Sequence, residues 1–308
     1  MEARIVVALT GSTGFIGSTI LKQLSSHGYT VRTLVRNSHT NFKQASSNIE
    51  IIHGGLDNDS ALSKLTAGAH FIIHCAGRVR GRNYSDFKTD NVDGTQNLVT
   101  HALNSAQLKN FIHISSLAAR EPQLSHYAKS KHTGELLFSK LGFNKWTIIR
   151  PPAVYGPNDT ELKPLFDWTR RGILWVPGNP QQRFSLLHVE DLSQLILVLI
   201  ESNSHQQSIL EPNDGYKIGY TWRNIQEITS NYFNRKVRSI PLPRHMLTTT
   251  AHMNMVFSKL MNYSPMLSPG KVRELVHDDW TTSSSESISS WSPAIDLKSG
   301  LSTLYSQY

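Results

Sequence analysis

The sequence predicts an α/β fold: a doubly wound parallel sheet followed by a smaller C-terminal lobe. Three observations carry that expectation. Short β-branched or continuously apolar runs alternate with helical periods from Arg4 to Arg150. Glycines at three-residue spacing separate the first run from the first helical period. Beyond Arg150, Pro151, Pro152, Pro157, Pro164, Pro177 and Pro180 interrupt the alternation, because proline lacks the N–H that a ladder or helix needs.

The elements follow in order. Arg4–Leu9 reads as a buried strand and Thr10–Gly17 as a glycine turn. Phe15–Leu24 is a helix whose Ile16, Ile20, Leu21 and Leu24 share one face, and Gly28 ends it. Thr30–Val35, Ile49–His53 and His70–Cys75 are the next strands, with a helix at Ala61–Leu65. Phe87–Ala106 reads as one long helix, Asn110–Ser115 as the fifth strand, Ser125–Leu141 as a helix and Trp146–Arg150 as the sixth strand. Continuously apolar strands are those buried on both faces, which a parallel sheet covered by helices requires. Asp191–Ile200 is an apolar helix expected to return to the main lobe. Short helices are expected near Trp222–Phe233 and Pro269–Val276. The stretch Met246–Met261 reads as a helix that packs through its methionines. The expected domains are residues 1–150, joined by 185–210, and a smaller substrate-binding lobe of 151–184 and 211–308.

At 308 residues, with 39% hydrophobic and 18% charged, the chain can bury a full core and needs no disordered region. Its net charge of +8 favours anionic ligands. Lys and Arg are scattered rather than striped, so the phosphates of a small ligand are expected and nucleic acid is not. Cys75 is the single cysteine, which excludes an internal disulfide and fits a reducing compartment. It reads as a small core residue rather than a nucleophile. The N-terminus lacks a basic stretch followed by a long apolar one, and the longest apolar run, Leu195–Ile200, is far short of a bilayer span. A cytoplasmic protein without a transmembrane segment or a metal is expected, with peripheral membrane contact through Met246–Met261 left open.

The glycine turn has a specific physical use. Gly11 permits the tight turn, Gly14 clears space where backbone N–H groups approach a pyrophosphate, and Gly17 lets helix and strand pack closely. The helix N-terminus turns its unsatisfied N–H groups toward negative charge. Gly11, Thr13, Gly14, Phe15, Ile16 and Gly17 are therefore candidate contacts of a dinucleotide in a Rossmann-type sheet. Arg36 ends the second strand where NAD-preferring proteins carry an acid, and its planar fork suits a 2′-phosphate. NADP is the preferred cofactor on this reading, with NAD as the alternative. Arg32 shares the side of Arg36 but lies further from the strand end.

Tyr127 and Lys131 stand four residues apart on one predicted helix, which places both on one face. A nearby ammonium favours the phenolate and is expected to lower the tyrosine pKa. Tyr127 can then exchange a proton with a carbonyl or alcohol oxygen, and Lys131 can bond ribose hydroxyls. Ser116, at the end of the fifth strand, can donate to the substrate oxygen. Ser115 is its rival, and strand alternation does not choose between them.

These residues together resemble the extended short-chain dehydrogenase/reductases, also called the NAD-dependent epimerase/dehydratase family. The matching stretches are Thr10–Gly17, His74-Cys75-Ala76-Gly77, Asn91-Val92-Asp93-Gly94-Thr95, Ile114-Ser115-Ser116, Tyr127/Lys131, Arg150–Pro157 and His188–Leu192. The resemblance implies Ser116, Tyr127 and Lys131 as catalytic residues, with Asn91 supporting them. It implies further cofactor contacts from Leu56, Cys75, Ala76, Gly77, Pro151, Ala153 and Val154, alongside Tyr127 and Lys131. Three positions depart from the pattern. Ala153 replaces an asparagine, and Phe184 an arginine, of the nucleotide-sugar epimerases. Gly55 replaces an aspartate that bonds the adenine amine, for which Asp57 or Asn58 can substitute.

Three functions fit. The first is an NAD(P)-dependent reductase or dehydrogenase moving a hydride between nicotinamide and a carbonyl or secondary alcohol. The second is a nucleotide-sugar epimerase or dehydratase with tightly bound NAD. The third is a non-catalytic NADP-binding regulatory or assembly protein, against which retention of Ser116, Tyr127 and Lys131 argues. Ala153 and Arg36 favour the first. The expected partner is a small molecule, acidic if Arg78, Arg80 and Arg82 bind it, and a homodimer is left open.

Overall fold

The computed structural model describes residues 5–36, 47–282, 288 and 290–305. Arg4, expected at the start of the first strand, lies outside them. Six strands are β1 (Val6–Thr10), β2 (Thr30–Val35), β3 (Ile49–His53), β4 (Phe71–His74), β5 (Asn110–Ile114) and β6 (Trp146–Ile149). Each lies within about two residues of its sequence expectation. β1 and β4 bury all but the first residue of β1, as strands covered on both faces do.

The chain builds the sheet outward from β1 in both directions. β2 and β3 add on one side, and β4, β5 and β6 on the other. A seventh strand, β11 (Ser208–Leu210), which the sequence did not signal, adds beyond β6. All pairings in this sheet are parallel. The reversal between β1 and β4 leaves a crevice at their carboxyl ends, where such sheets hold ligands.

Helices cover both faces. On one, α1 (Phe15–Ser26) and α7 (Val189–Ser202) bury Ile20, Leu24, Leu192, Leu195 and Ile196 against the sheet. On the other, α2 (Asp59–Thr66), α4 (Gly94–Leu103) and α5 (His126–Lys140) bury Leu62, Leu98, Val99 and Phe138. Each such side chain contributes roughly 1.5–3 kcal/mol of burial. Gly28 takes φ +80° at the end of α1, which explains the glycine there.

The expected single helix from Phe87 to Ala106 is interrupted. α3 (Tyr84–Lys88) runs into a π-helical turn, Thr89–Asp93, before α4 begins. The widened turn rotates the following residues and buries Asn91.

A third core gathers Tyr155, Phe166, Leu174, Val176, Tyr220 and Ile225. It is built by β7 (Ala153–Tyr155), β8 (Ile173–Pro177), β9 (Arg183–Phe184) and β10 (Leu186–His188), with α6 (Lys163–Arg170) and α8 (Trp222–Tyr232). β12 (Arg238–Leu242), α9 (Arg244–Leu260), α10 (Pro269–Leu275), β13 (Asp279–Trp280) and α11 (Leu297–Tyr305) complete the described chain. α9 corrects one expectation. It buries Leu247, Ala251 and Ser258, while Met246 and Met253 face solvent. Leu247 and Ala251 fill the contact with Val272 of α10, so the methionines on the other side are left outside.

Candidate active site

The site forms where β1, β4 and β5 end. A Cβ on Gly11 would fall 2.6 Å from the Ala76 backbone nitrogen, so only glycine lets the first turn reach the end of β4. A Cβ on Gly17 would strike the Gly11 carbonyl, which is why α1 can start so close to that turn. Thr13 and Gly14 are exposed, and Phe15 and Ile16 half-buried. α2, α5, α8 and α10 each start with a side chain bonded to a backbone N–H. α1 starts with Gly14, no side-chain cap and no acid in its first turn. Its leading N–H groups are thus left for an external anion, and the cradle fits a pyrophosphate.

A polar column supports this floor. Thr10 Oγ1 is 2.7 Å from His74 Nδ1 and accepts from Ala76 N at 3.2 Å. His74 Nε2 is 2.9 Å from Thr95 Oγ1, which donates to the Asn91 carbonyl. Burial drives the His74 pKa down to about 3, so the ring stays neutral. Cys75 is pushed up to about 12 by burial, which leaves a thiol and no nucleophile.

Asn91 fixes the loop beyond β4. Its Oδ1 accepts from Arg78 N at 2.7 Å, and its Nδ2 donates to Arg78 O and Ser130 Oγ, each at 2.9 Å. Gly77 is packed by this arrangement: a Cβ there would lie 3.0 Å from Asn91 Oδ1 and 3.8 Å from Lys131 Nζ.

The two serines after β5 have separate employment. Ser115 is buried and donates to Glu135 Oε1 at 2.5 Å. Glu135 also accepts from Arg150 at 3.0 and 2.6 Å, and Arg150 donates on to Glu211 at 3.2 Å. Ser116 caps the short turn Leu117–Arg120 and accepts from Ala118 N at 3.2 Å. The Ser116 hydroxyl lies against the Tyr127 phenol and eases its ionisation.

Ser125 caps α5 by accepting from Ala128 N at 2.9 Å, which starts the helix two residues before Tyr127. Tyr127 is half-buried beside Phe87, with ring centroids 6.2 Å apart. One turn on, Lys131 is buried and donates from Nζ to the Ile114 carbonyl at 2.8 Å. Burial lowers its pKa to about 8. The expectation of a lowered Tyr127 pKa is not met. Burial raises it, and the Ser116 bond and the Lys271 charge only partly offset that effect. Lys271, on α10, bonds Glu274 at 3.0 Å.

Arg36 stands at the end of β2 with its guanidinium exposed and 3.8 Å from Asp90. Arg32 is bound to Glu50 at 2.8 Å, out of reach of the crevice. Leu56 packs on Gly94, and its carbonyl accepts from Asn97. Asp57 Oδ1 sits in the space that a side chain at residue 55 would fill. Asn58 spends its oxygen on capping α2, so Asp57 is the better substitute for the missing aspartate. Pro151 is buried, with its carbonyl bonded to Leu117 N. Ala153 is exposed and Val154 half-buried on β7. Arg78, Arg80 and Arg82 are engaged by Asp90, Glu161 and Asn262.

Sequence reading missed the Glu135 network, the bridging role of His74 between Thr10 and Thr95, and Lys271. Glu135 carries a signal, since it follows Lys131 by four residues on the same helix face. Lys271 carries none, because only the packing of α10 on α5 brings it near.

The fold and this crevice define a dinucleotide-binding α/β protein. Residues 7–219 match the NAD dependent epimerase/dehydratase family, and the chain belongs to it. It is 35% identical over 283 residues to a ceramide reductase from Caulobacter vibrioides, covering 92% of this chain and 88% of that one. A UDP-glucose 4-epimerase from Vibrio cholerae is 26% identical over 239 residues, covering 69% and 71%. Among solved structures, a UDP-glucuronic acid 4-epimerase from Bacillus cereus in complex with NAD superposes with a TM-score of 0.72 at 19% identity, covering 98% of each chain. The chain is thus an enzyme of the NAD(P)-dependent oxidoreductase and epimerase group.

Proposed function

We propose that this enzyme is an NADP-preferring reductase in which Tyr127 protonates the oxygen of a ketone, and that its substrate is a ceramide-type lipid. The observation that carries the chemistry is the Tyr127 phenol set against the Ser116 hydroxyl, one helical turn from the buried Lys131, whose ammonium faces Gly77. A bound nicotinamide cofactor supplies the hydride.

Reduction needs an acid at the substrate oxygen. A phenol held above its ordinary pKa is protonated at neutral pH and suited to give that proton. Ser116 donates a second hydrogen bond to the same oxygen as negative charge develops. Lys131 holds positive charge on the wall behind them, anchored by the Ile114 carbonyl. Asn91 positions the loop that carries Gly77.

Two positions support reduction over nucleotide-sugar epimerisation. Phe184 packs on Trp222 at 4.8 Å between ring centroids, so an aromatic wall stands where the epimerases set an arginine. Arg183 donates to the Ile218 carbonyl and does not replace it. Ala153 offers no side-chain hydrogen bond to a sugar nucleotide's phosphates. Arg36, exposed at the end of β2, supports NADP. The identity to ceramide reductase over nearly the whole chain supports the substrate class.

The test is cofactor consumption with a ceramide-type ketone, simple ketones and UDP-glucose. The reading expects NADPH oxidation with the lipid ketone, and Arg36→Asp is expected to weaken NADPH far more than NADH. Conversion of UDP-glucose without net cofactor consumption would replace it with the epimerase reading.

A further inference from the structure

We infer that the outward face of α9 is a docking surface for an anionic lipid bilayer. Met246, Met253, Val256, Phe257, Leu260 and Met261 are all exposed, up to 75% at Leu260. Their positions repeat at helical spacing along one side of α9 and just past its end. The opposite side buries Leu247, Ala251 and Ser258, so the apolar stripe is no part of the core. Exposed apolar side chains gathered on one face, rather than scattered singly, mark a contact surface.

The charge around the stripe chooses its occupant. No Asp or Glu occurs between Glu227 and Glu274, and α9 itself carries Arg244 and Lys259, both exposed. Arg244, His245 and His252 line a shallow groove with Thr248 and Thr249 along α9. An apolar helix face flanked by cations is the pattern that lies in a bilayer interface, with side chains in the acyl boundary and cations among anionic headgroups. A second copy of this chain would bring like charges together, which disfavours self-association through this face.

The surface is tied to the catalytic crevice. Arg82, in the loop after β4, donates to Asn262 at 3.1 Å, just past the end of α9. α10 follows and seats Gly270 against Ser125, while Ser125 bonds Glu274. Ser125 lies two residues before Tyr127, so α10 links α9 to the start of the helix that carries Tyr127. The inference rests on this surface alone and not on the lipid-ketone reading.

The experiment is flotation of the full chain with vesicles of phosphatidylcholine alone and with added phosphatidylglycerol. Binding to the anionic vesicles that weakens with salt is expected. A Phe257→Asp/Leu260→Asp variant is expected to lose about tenfold or more of it. A second variant, Arg244→Glu/Lys259→Glu, is expected to lose the preference for phosphatidylglycerol. Circular dichroism and cofactor binding check that both fold. Absence of vesicle binding by the wild-type chain, or binding unchanged in both variants, overturns the proposal. So does a wild-type dimer, seen by sedimentation, that Phe257→Asp/Leu260→Asp dissociates, since the stripe is then an interface between copies. Neither readout uses turnover, so failure here leaves the reductase reading standing, and the reverse.

Discussion

Two polar clusters flank the end of β5, and they differ in how much of their hydrogen-bonding capacity the protein itself consumes. In the closed cluster, Ser115, Glu135, Arg150 and Glu211 bond one another and are largely buried. In the open cluster, Ser116 accepts one backbone bond, Lys131 donates to the Ile114 carbonyl, and the Tyr127 phenol meets the Ser116 hydroxyl. Adjacent serines thus do different work. The closed cluster ties α5 to β6 and to the segment after β11. The open one keeps hydrogen-bonding capacity at the proposed catalytic site.

The largest effect should come from breaking the closed cluster. Glu135→Leu leaves Arg150 without its buried partner and is expected to cost about 3–5 kcal/mol of stability, read from denaturant unfolding. Lys131→Met should do the opposite. Burial lowers the folded pKa of Lys131 to about 8, against 10.5 in the unfolded chain. The unfolded state therefore binds more protons between those values, and the penalty of the buried charge is fully present below pH 8. Removing the charge at pH 7 is expected to gain up to about 3 kcal/mol while turnover collapses. The gain should shrink as pH rises from about 8 toward 10.5.

Smaller effects separate the serines. Ser116→Ala is expected to lower kcat by about 10²-fold with little change in melting temperature. Ser115→Ala should leave kcat nearly unchanged and cost about 1–2 kcal/mol of stability, since Glu135 keeps Arg150. The opposite assignment of those losses would exchange the roles of the two clusters.

Much of this was legible in the sequence because it rests on local periodicity. The glycine turn follows from three-residue spacing, the strands from continuous apolar runs, and the helices with the Tyr127/Lys131 pair from the 3.6-residue period. What escaped the sequence depends on contacts between distant segments. Glu211 reaches Arg150 from 61 residues away, and β11 joins the sheet only after α7 has crossed it. The π-helical turn at Asn91 interrupts a continuous helical pattern and has no residue signature. The direction of the Tyr127 shift depends on burial, which helix spacing does not reveal and which outweighs the Ser116 bond and the Lys271 charge.

The measurement that tests the central claim most directly is NADPH consumption by Tyr127→Phe with the best ketone found, alongside cofactor binding by fluorescence. The variant keeps the ring and loses only the proton it would deliver. Turnover should fall by about 10²–10⁴-fold while NADPH affinity stays within about twofold of the parent. A variant that turns over at the parent's rate would contradict the account.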